Sequence, residues 1–413
     1  FQFGQPQAID LFFSRRIGLS PSGQPIDIIA GGRLSGKLGG NNIGVLNMQT
    51  ADAVNRRTGD TIAAANNFTA LRVQREVGRS SFGAMFVNRQ GVGALAAAGD
   101  FNRAYGLDLA WQTTTNGKLF AFVARTDSPP SKGRSDYAGR LLYTYANPLW
   151  NGNLGYAQVG DSFNPEVGFL PRRGYRRVEG RYVLTYQPKQ WPWIRRIQPH
   201  VNYTVYTNLH NELESSSGHW HFFDIIERSG ARFGYDIDTQ QDRPRRPFTV
   251  YEDVTGRRVV IPAGEYAWAR GSFEGTTNPS APVSVALVQR IGSYYDGNYI
   301  EWRLTIGLRA GARLLSEIEW ARDDVKLPVG SFKNDLIPFK ISYAFTSLAN
   351  LQGLIQYNRQ ASTISSNIRL ALLNRSGTGL FLVYNDRRDT SAFTPDELLG
   401  RSFIVKYTRL FDY

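Results

Sequence analysis

Between Tyr299 and Phe345 the chain alternates in character with a period of two. Ile300, Trp302, Leu304, Ile306 and Leu308 interleave with Glu301, Arg303, Thr305, Gly307 and Arg309. Leu314, Ser316, Ile318 and Trp320 interleave with Glu317, Glu319 and Ala321, and Ile337, Phe339, Ile341, Tyr343 and Phe345 with Pro338, Lys340, Ser342 and Ala344. Successive side chains point to opposite faces only in an extended strand, so these are three strands with one apolar and one polar face. The apolar face is rich in Trp, Tyr and Phe, and the strands run to about ten residues. That length suits a tilted strand crossing a bilayer, with apolar side chains toward lipid and polar ones toward a lumen.

Composition narrows the alternatives. No apolar run approaches the roughly 18 residues that a spanning helix needs, and mean hydropathy is -0.34, which excludes a helical membrane protein. The 21 Tyr, 24 Phe and 8 Trp can supply interfacial girdles, and the 41 Gly suit tight turns and crowded strands. With no Cys there is no disulfide or thiolate metal site. The net charge of +13 comes from 48 Lys+Arg against 35 Asp+Glu. Its basic pairs (Arg15-Arg16, Arg56-Arg57, Arg172-Arg173, Arg195-Arg196, Arg245-Arg246, Arg257-Arg258) fall in turns and loops. That placement favours contact with anionic headgroups, or an anion-favouring lumen, over nucleic acid. The first residue is Phe1 with no charged-then-apolar leader, as expected once an export signal is removed; an upstream domain stays open.

Taken in order, the same alternation recurs from end to end. Tyr105, Leu107, Leu109 and Trp111 oppose Gly106, Asp108, Ala110 and Gln112, and Val178, Tyr182 and Leu184 oppose Glu179 and Arg181. Short connections (Gly39–Asn42, Gly78–Ser80, Ala310–Ala312, Ser347–Asn350) alternate with long ones (Ala51–Asn67, Gly91–Phe101, Asp127–Ser135, Phe163–Gly174, Asp242–Gly264, Arg388–Gly400). Short turns belong to the periplasmic side and longer loops to the outside. Counting Ala8–Gly18 as the least strand-like member, the tally is about twenty-two strands. The expected fold is thus all-β: one transmembrane antiparallel β-barrel spanning residues 1–413. At that strand number the barrel is roughly 40 Å across, too wide for wall side chains to fill. Phe163–Gly174, with Val167, Phe169 and Leu170, is expected to pack against the barrel interior. Asp242–Gly264 is either an inward constriction or a solvated loop, with Phe248–Tyr251 and Arg258–Ile261 able to pair as a hairpin. At the C-terminus Phe403, Val405, Tyr407, Phe411 and Tyr413 share a face, a pattern similar to the terminal signal read by the barrel-assembly machinery.

Several stretches carry a family resemblance: Leu11–Gly18 (LFFSRRIG), Gly31–Gly39 (GGRLSGKLG), Ile43–Thr50 (IGVLNMQT), Asn67–Arg75 (NFTALRVQR), Gly160–Arg172 (GDSFNPEVGFLPR), Val383–Arg388 (VYNDRR) and Ile404–Phe411 (IVKYTRLF). Together the chain resembles a family of Gram-negative outer-membrane barrels of unknown function. In that family the barrel follows an N-terminal β-sandwich similar to family-9 carbohydrate-binding modules, for which these residues have no counterpart. The resemblance implies an outer-membrane location and an architecture, and no activity.

For chemistry the sequence offers little. His219-Trp220-His221 puts two imidazoles on one strand face, with His210 across a hairpin. No carboxylate at metal spacing completes a set, so these are read as loop-end histidines, with no metal or other cofactor expected. Nothing resembles a nucleophile elbow, so no enzyme is expected. The charges in lumen-facing phase are Asp108, Arg140, Glu179, Arg181, Glu301, Arg303, Arg309, Glu317, Glu319, Lys340 and Lys406. Leu107, Leu109, Trp302, Ile306, Ile318, Trp320, Phe339, Ile341 and Tyr343 are in lipid-facing phase. The leading expectation is a conduit for a polar solute or polymer. The rival is a plugged barrel that anchors a periplasmic domain or partner. Expected partners are outer-membrane lipid, the assembly machinery, and a periplasmic or extracellular protein.

Overall fold

The computed structural model of the chain describes residues 3, 9–20, 23–54, 58–129, 136–375, 378–391 and 397–409. Among them there is no α-helix, only a 3-10 turn at Ser14–Arg16, and no helix is long and apolar enough to cross a membrane. The strands assemble into one antiparallel sheet of 22, with two small two-stranded sheets beside it. This is the expected fold class, an all-β antiparallel fold of the barrel type with about twenty-two strands.

Contacts divide the chain into two compact units, Phe1–Tyr182 with Tyr203–Glu214, and Val183–Asn202 with Ser215–Tyr413. In the first, Ile28–Leu38, Asn41–Thr50, Asn66–Val77, Ser80–Gly91, Phe101–Gln112, Gly117–Asp127, Tyr137–Ala146 and Trp150–Val159 each pair with the next. The turn at Gly39-Gly40 needs glycine because both residues have positive φ, 56° and 80°. In the second, a continuous meander runs from Leu213–Glu227 through Arg232–Asp242, Tyr266–Thr276, Val283–Tyr294, Gly297–Ala310, Leu314–Leu327 and Gly330–Thr346. It continues through Ala349–Asn358, Thr363–Arg375 and Thr378–Asp389 to Leu398–Thr408.

The described residues of Ala8–Gly18, 9–18, form no strand of the sheet. They make one bridge, Asp10 to Phe169, then the 3-10 turn. Ile9 and Leu11 are fully buried with Phe163 and Val167 against the sheet. The sheet holds 22 strands without this segment. The connections also depart from a strict short–long alternation. In the second unit, two-residue turns at Tyr295-Asp296 and Pro328-Val329 sit at the same strand ends as the long 243–265 connection. Phe403, Val405 and Tyr407 are exposed, whereas Phe411 and Tyr413 lie outside the described residues.

Candidate functional site

Along Phe101–Gln112 neighbouring side chains differ sharply in exposure. Leu107 is 62% exposed and Leu109 37%, while the Asp108 side chain between them is 8% exposed. Trp302, Ile306 and Ile318 are exposed on the face opposite Glu301, Arg303 and Glu319; Trp320, Phe339, Ile341 and Tyr343 are half-buried in the same apolar phase. A water-soluble fold rarely leaves so continuous an apolar face open. Above Trp320 this face turns polar: the Arg322 guanidinium lies 5.4 Å from the Trp320 ring and bonds Asp335, which also accepts from Arg359.

On the charged face of the first unit, Arg72 and Asp108 form a bidentate pair at 2.5 and 2.8 Å, with side chains 7% and 8% exposed. They sit on strands that are not neighbours. Arg72 reaches across the intervening strand at Gly83, where a Cβ would lie 2.5 Å from its Nη1. Phe3 stacks over the pair, 5.8 Å from the Arg72 guanidinium and 5.4 Å from the Phe122 ring. Gly106 makes room for it, since a Cβ there would meet Phe3 at 2.3 Å and Leu11 at 2.6 Å. Next along, Arg140 and Arg177 both bond Glu179. Arg181, in the same phase, is exposed.

The 160–174 connection covers this face. Phe163 and Val167 are buried in the cluster with Leu46, Phe68, Met85, Val87 and Tyr175. Arg89 fastens it, donating from Nε to Glu166 at 2.6 Å and from Nη2 to Asp100 at 2.5 Å. The Arg89 guanidinium holds the Asp100 carboxyl below its usual range, and burial pushes the Asp10 carboxyl up.

On the charged face of the second unit the pairs are wetter and form a ladder. Arg290 bonds Glu301 at 2.7 Å; Arg303 bonds Glu301 at 3.2 Å and Glu319 at 3.1 Å; Lys340 bonds Glu317 at 2.8 Å. The Tyr299 hydroxyl lies between two carboxylates, 2.8 Å from Asp323 Oδ1 and 3.0 Å from Glu301 Oε2, with one proton to share between them. Arg303 is 43% exposed and Lys340 57%. Arg309 is exposed at its strand end, and Lys406 is exposed on Leu398–Thr408.

The 243–265 connection does form the expected hairpin, Phe248–Glu252 with Arg258–Ile261. It folds with its apolar residues down. Tyr251, Val259 and Ile261 are buried with Trp268, Tyr295, Val325 and Leu327, and Tyr251 stacks on Phe332 at 4.5 Å. Three of its arginines are held in ion pairs: Arg257 with Asp253, Arg258 with Glu252 and Arg243 with Glu265. Tyr295 donates to Asp242 at 3.0 Å, and burial raises its hydroxyl. A cavity of about 660 Å³ opens beside the hairpin, lined by Asp253, Arg257, Lys326, Lys333 and Arg359 among others.

Arg72, Arg177, Arg290 and Tyr299 are partners that phase alone does not name. Arg290 is legible in retrospect, because a two-residue turn at Tyr295-Asp296 places it directly opposite Glu301. Arg72 is not, because its partner lies two strands away.

No family model matches this chain. No curated protein matches it. Among solved structures it is similar to the ferric-catecholate import receptor Fiu from E. coli K12 in its open form, with TM-score 0.44 and 9% identity over 98% of this chain and 74% of that one.

Proposed function

We propose that the chain is a bacterial outer-membrane barrel acting as a gated conduit for a polar solute or polymer. The observation that carries this reading is the second unit's two-sided strands. Trp302, Ile306 and Ile318 are exposed on one face while Arg303, Glu317 and Lys340 are partly exposed on the other. A strand wetted by lipid on one side and water on the other has this pattern. The mixed signs along the ladder favour a hydrated, weakly selective wall. The 248–261 hairpin is the gate, since it closes over part of that wall through apolar contacts and brings no net fixed charge at Arg257–Asp253 or Arg258–Glu252.

The rival reading, an anchor with a filled interior, draws on the first unit, where Phe3, Ile9, Leu11 and Phe163 seal the charged face. The family resemblance points the same way, since its members carry a sandwich domain for a barrel to hold. Planar-bilayer recording separates the two. The purified chain is expected to show small, flickering conductance, and replacement of 248–261 by a short Gly-Ser linker to give a large steady one. Silence from both forms sinks the conduit and leaves the anchor.

A further inference from the structure

Apart from the ion-pair ladder, the second unit brings together three histidines that the strand phase only half reveals. His219 and His221 lie on Leu213–Glu227, and His200 begins the strand His200–Asn208. Ring centroids are 4.7 Å apart for His200–His221, 5.3 Å for His200–His219 and 5.6 Å for His219–His221. One ring nitrogen from each lies within 4.8 Å of the others. His210, the partner that the sequence offers, sits instead in a turn, its backbone N–H bonded to Asn208.

The carboxylates missing from the sequence reading come from the neighbouring strand. Arg232–Asp242 pairs His219 with Asp238 and His221 with Asp236. Asp238 Oδ1 is 2.8 Å from His219 Nδ1, and Asp236 Oδ2 is 3.8 Å away. A carboxylate only accepts, so His219 Nδ1 carries the proton and its Nε2 lone pair is left for another partner. His200 is set the same way, with Nδ1 3.0 Å from the Gln198 carbonyl. A histidine whose Nδ1–H is held by a carboxylate or carbonyl is oriented as metal-ligating imidazoles are.

His221 supplies the independent sign. It is 3% exposed, and its Nε2 is buried with no hydrogen-bond partner. Leaving a buried polar nitrogen unmatched costs about 1–3 kcal/mol in general, so such atoms call for an explanation. Diagonally across on the neighbouring strand, Gly234 leaves the imidazole its space, since a Cβ there would lie 2.7 Å from Nε2. Asp224, also buried nearby, is engaged by Arg232 at 2.7 Å.

We propose that His200, His219 and His221 bind one divalent cation of the Zn²⁺ type, with Asp238 and the Gln198 carbonyl as the groups that orient two of the rings. Three imidazoles suit zinc, copper, nickel or cobalt, whereas Ca²⁺ and Mg²⁺ require oxygen ligands. A three-histidine set leaves a fourth position for water or a carboxylate, and Asp236, with Oδ2 3.8 Å from His219 Nδ1, is a buried carboxylate close by. The ion ties His200–Asn208 to the hairpin that follows, on the face carrying the charge ladder.

Equilibrium dialysis of the folded, detergent-solubilised chain against Zn²⁺, with metal counted by mass spectrometry, tests this, and Co²⁺ serves as the spectroscopic probe. Expected is one saturable Zn²⁺ per chain and a tetrahedral Co²⁺ absorption band. Asp238→Asn should weaken binding by about 10- to 100-fold, and His200→Ala or His221→Ala by more. His210→Ala should change nothing. Heat-modifiable gel mobility confirms that each variant is folded. If His221→Ala does not fold, the half-buried His200 and His219 still decide the matter through His200→Ala and His219→Gln. Unchanged Zn²⁺ binding in those variants, or no saturable binding by the folded parent chain, overturns the site.

Discussion

Arg72 in the first unit and Arg303 in the second both project from mid-strand toward a carboxylate on the charged face. Arg72 is 7% exposed beneath Phe3, and Arg303 is 43% exposed in the open ladder. Taking an ion pair out of water makes each partner depend on the other, because a lone buried charge has nothing to replace its lost hydration. A pair left wet can exchange one partner for solvent at small cost. The first unit therefore has a rigid, sealed charged face. The second has one that is more exposed and tolerates change.

The largest effect that tests this contrast is loss of a dry partner. Arg72→Ala should destabilise the chain by about 3–5 kcal/mol, because Asp108 is left buried and unpaired. Arg303→Ala should cost less than about 1 kcal/mol. Denaturant unfolding of the two variants in the same detergent gives the comparison, and equal losses would erase it.

A second test asks whether the second unit's charged and apolar faces are assigned in the right phase. Ile306 sits opposite Ile318 and Val285 on the apolar face, and on the proposed outer-membrane reading, with Ile306 at mid-membrane, Ile306→Arg should cost about 2–4 kcal/mol. Thr305, whose hydroxyl lies 3.4 Å from Glu319, should accept Arg with little loss. The reverse result in vesicle refolding would shift every side chain of that strand to the other face.

The smallest effect concerns the clamp that closes the first unit. Asp100 is depressed in the folded state by Arg89, so its contribution is fully present above the ordinary carboxylate range and is lost as pH falls through its folded value, below 3.8. Amide exchange in 160–174, corrected for intrinsic rate, should rise below about pH 4 in the parent chain. With Asp100→Asn it should already be raised at neutral pH and respond less to acid.

The strands themselves were open to reading because a period of two survives in each segment whatever the segment packs against. Leu107, Asp108 and Leu109, or Trp302, Arg303 and Leu304, show their faces without knowledge of a neighbour. The hairpin in 243–265 was equally local. What escaped was set by distant contacts. Ile9, Leu11 and Phe12 look like a poor strand because their apolar character serves a cluster built from residues as far away as Tyr175. The Asp236 and Asp238 partners of the histidines required a register: a turn centred near Ser229-Gly230 sets residue 219 against 238, and residue spacing along one strand does not show this.

The sealed face of the first unit also sets an order of events. Leu11 and Phe3 dock on Gly106, Phe122 and the 160–174 connection, so their site does not exist until at least the strands from Asn66 to Tyr175 have found one another. Closing a loop of that length adds only slowly growing entropy, but the contact brings no reward before the rest is in place. The segment at Ile9 and Leu11 leaves the ribosome before the strands it docks on, so its docking reports that those strands have assembled in register.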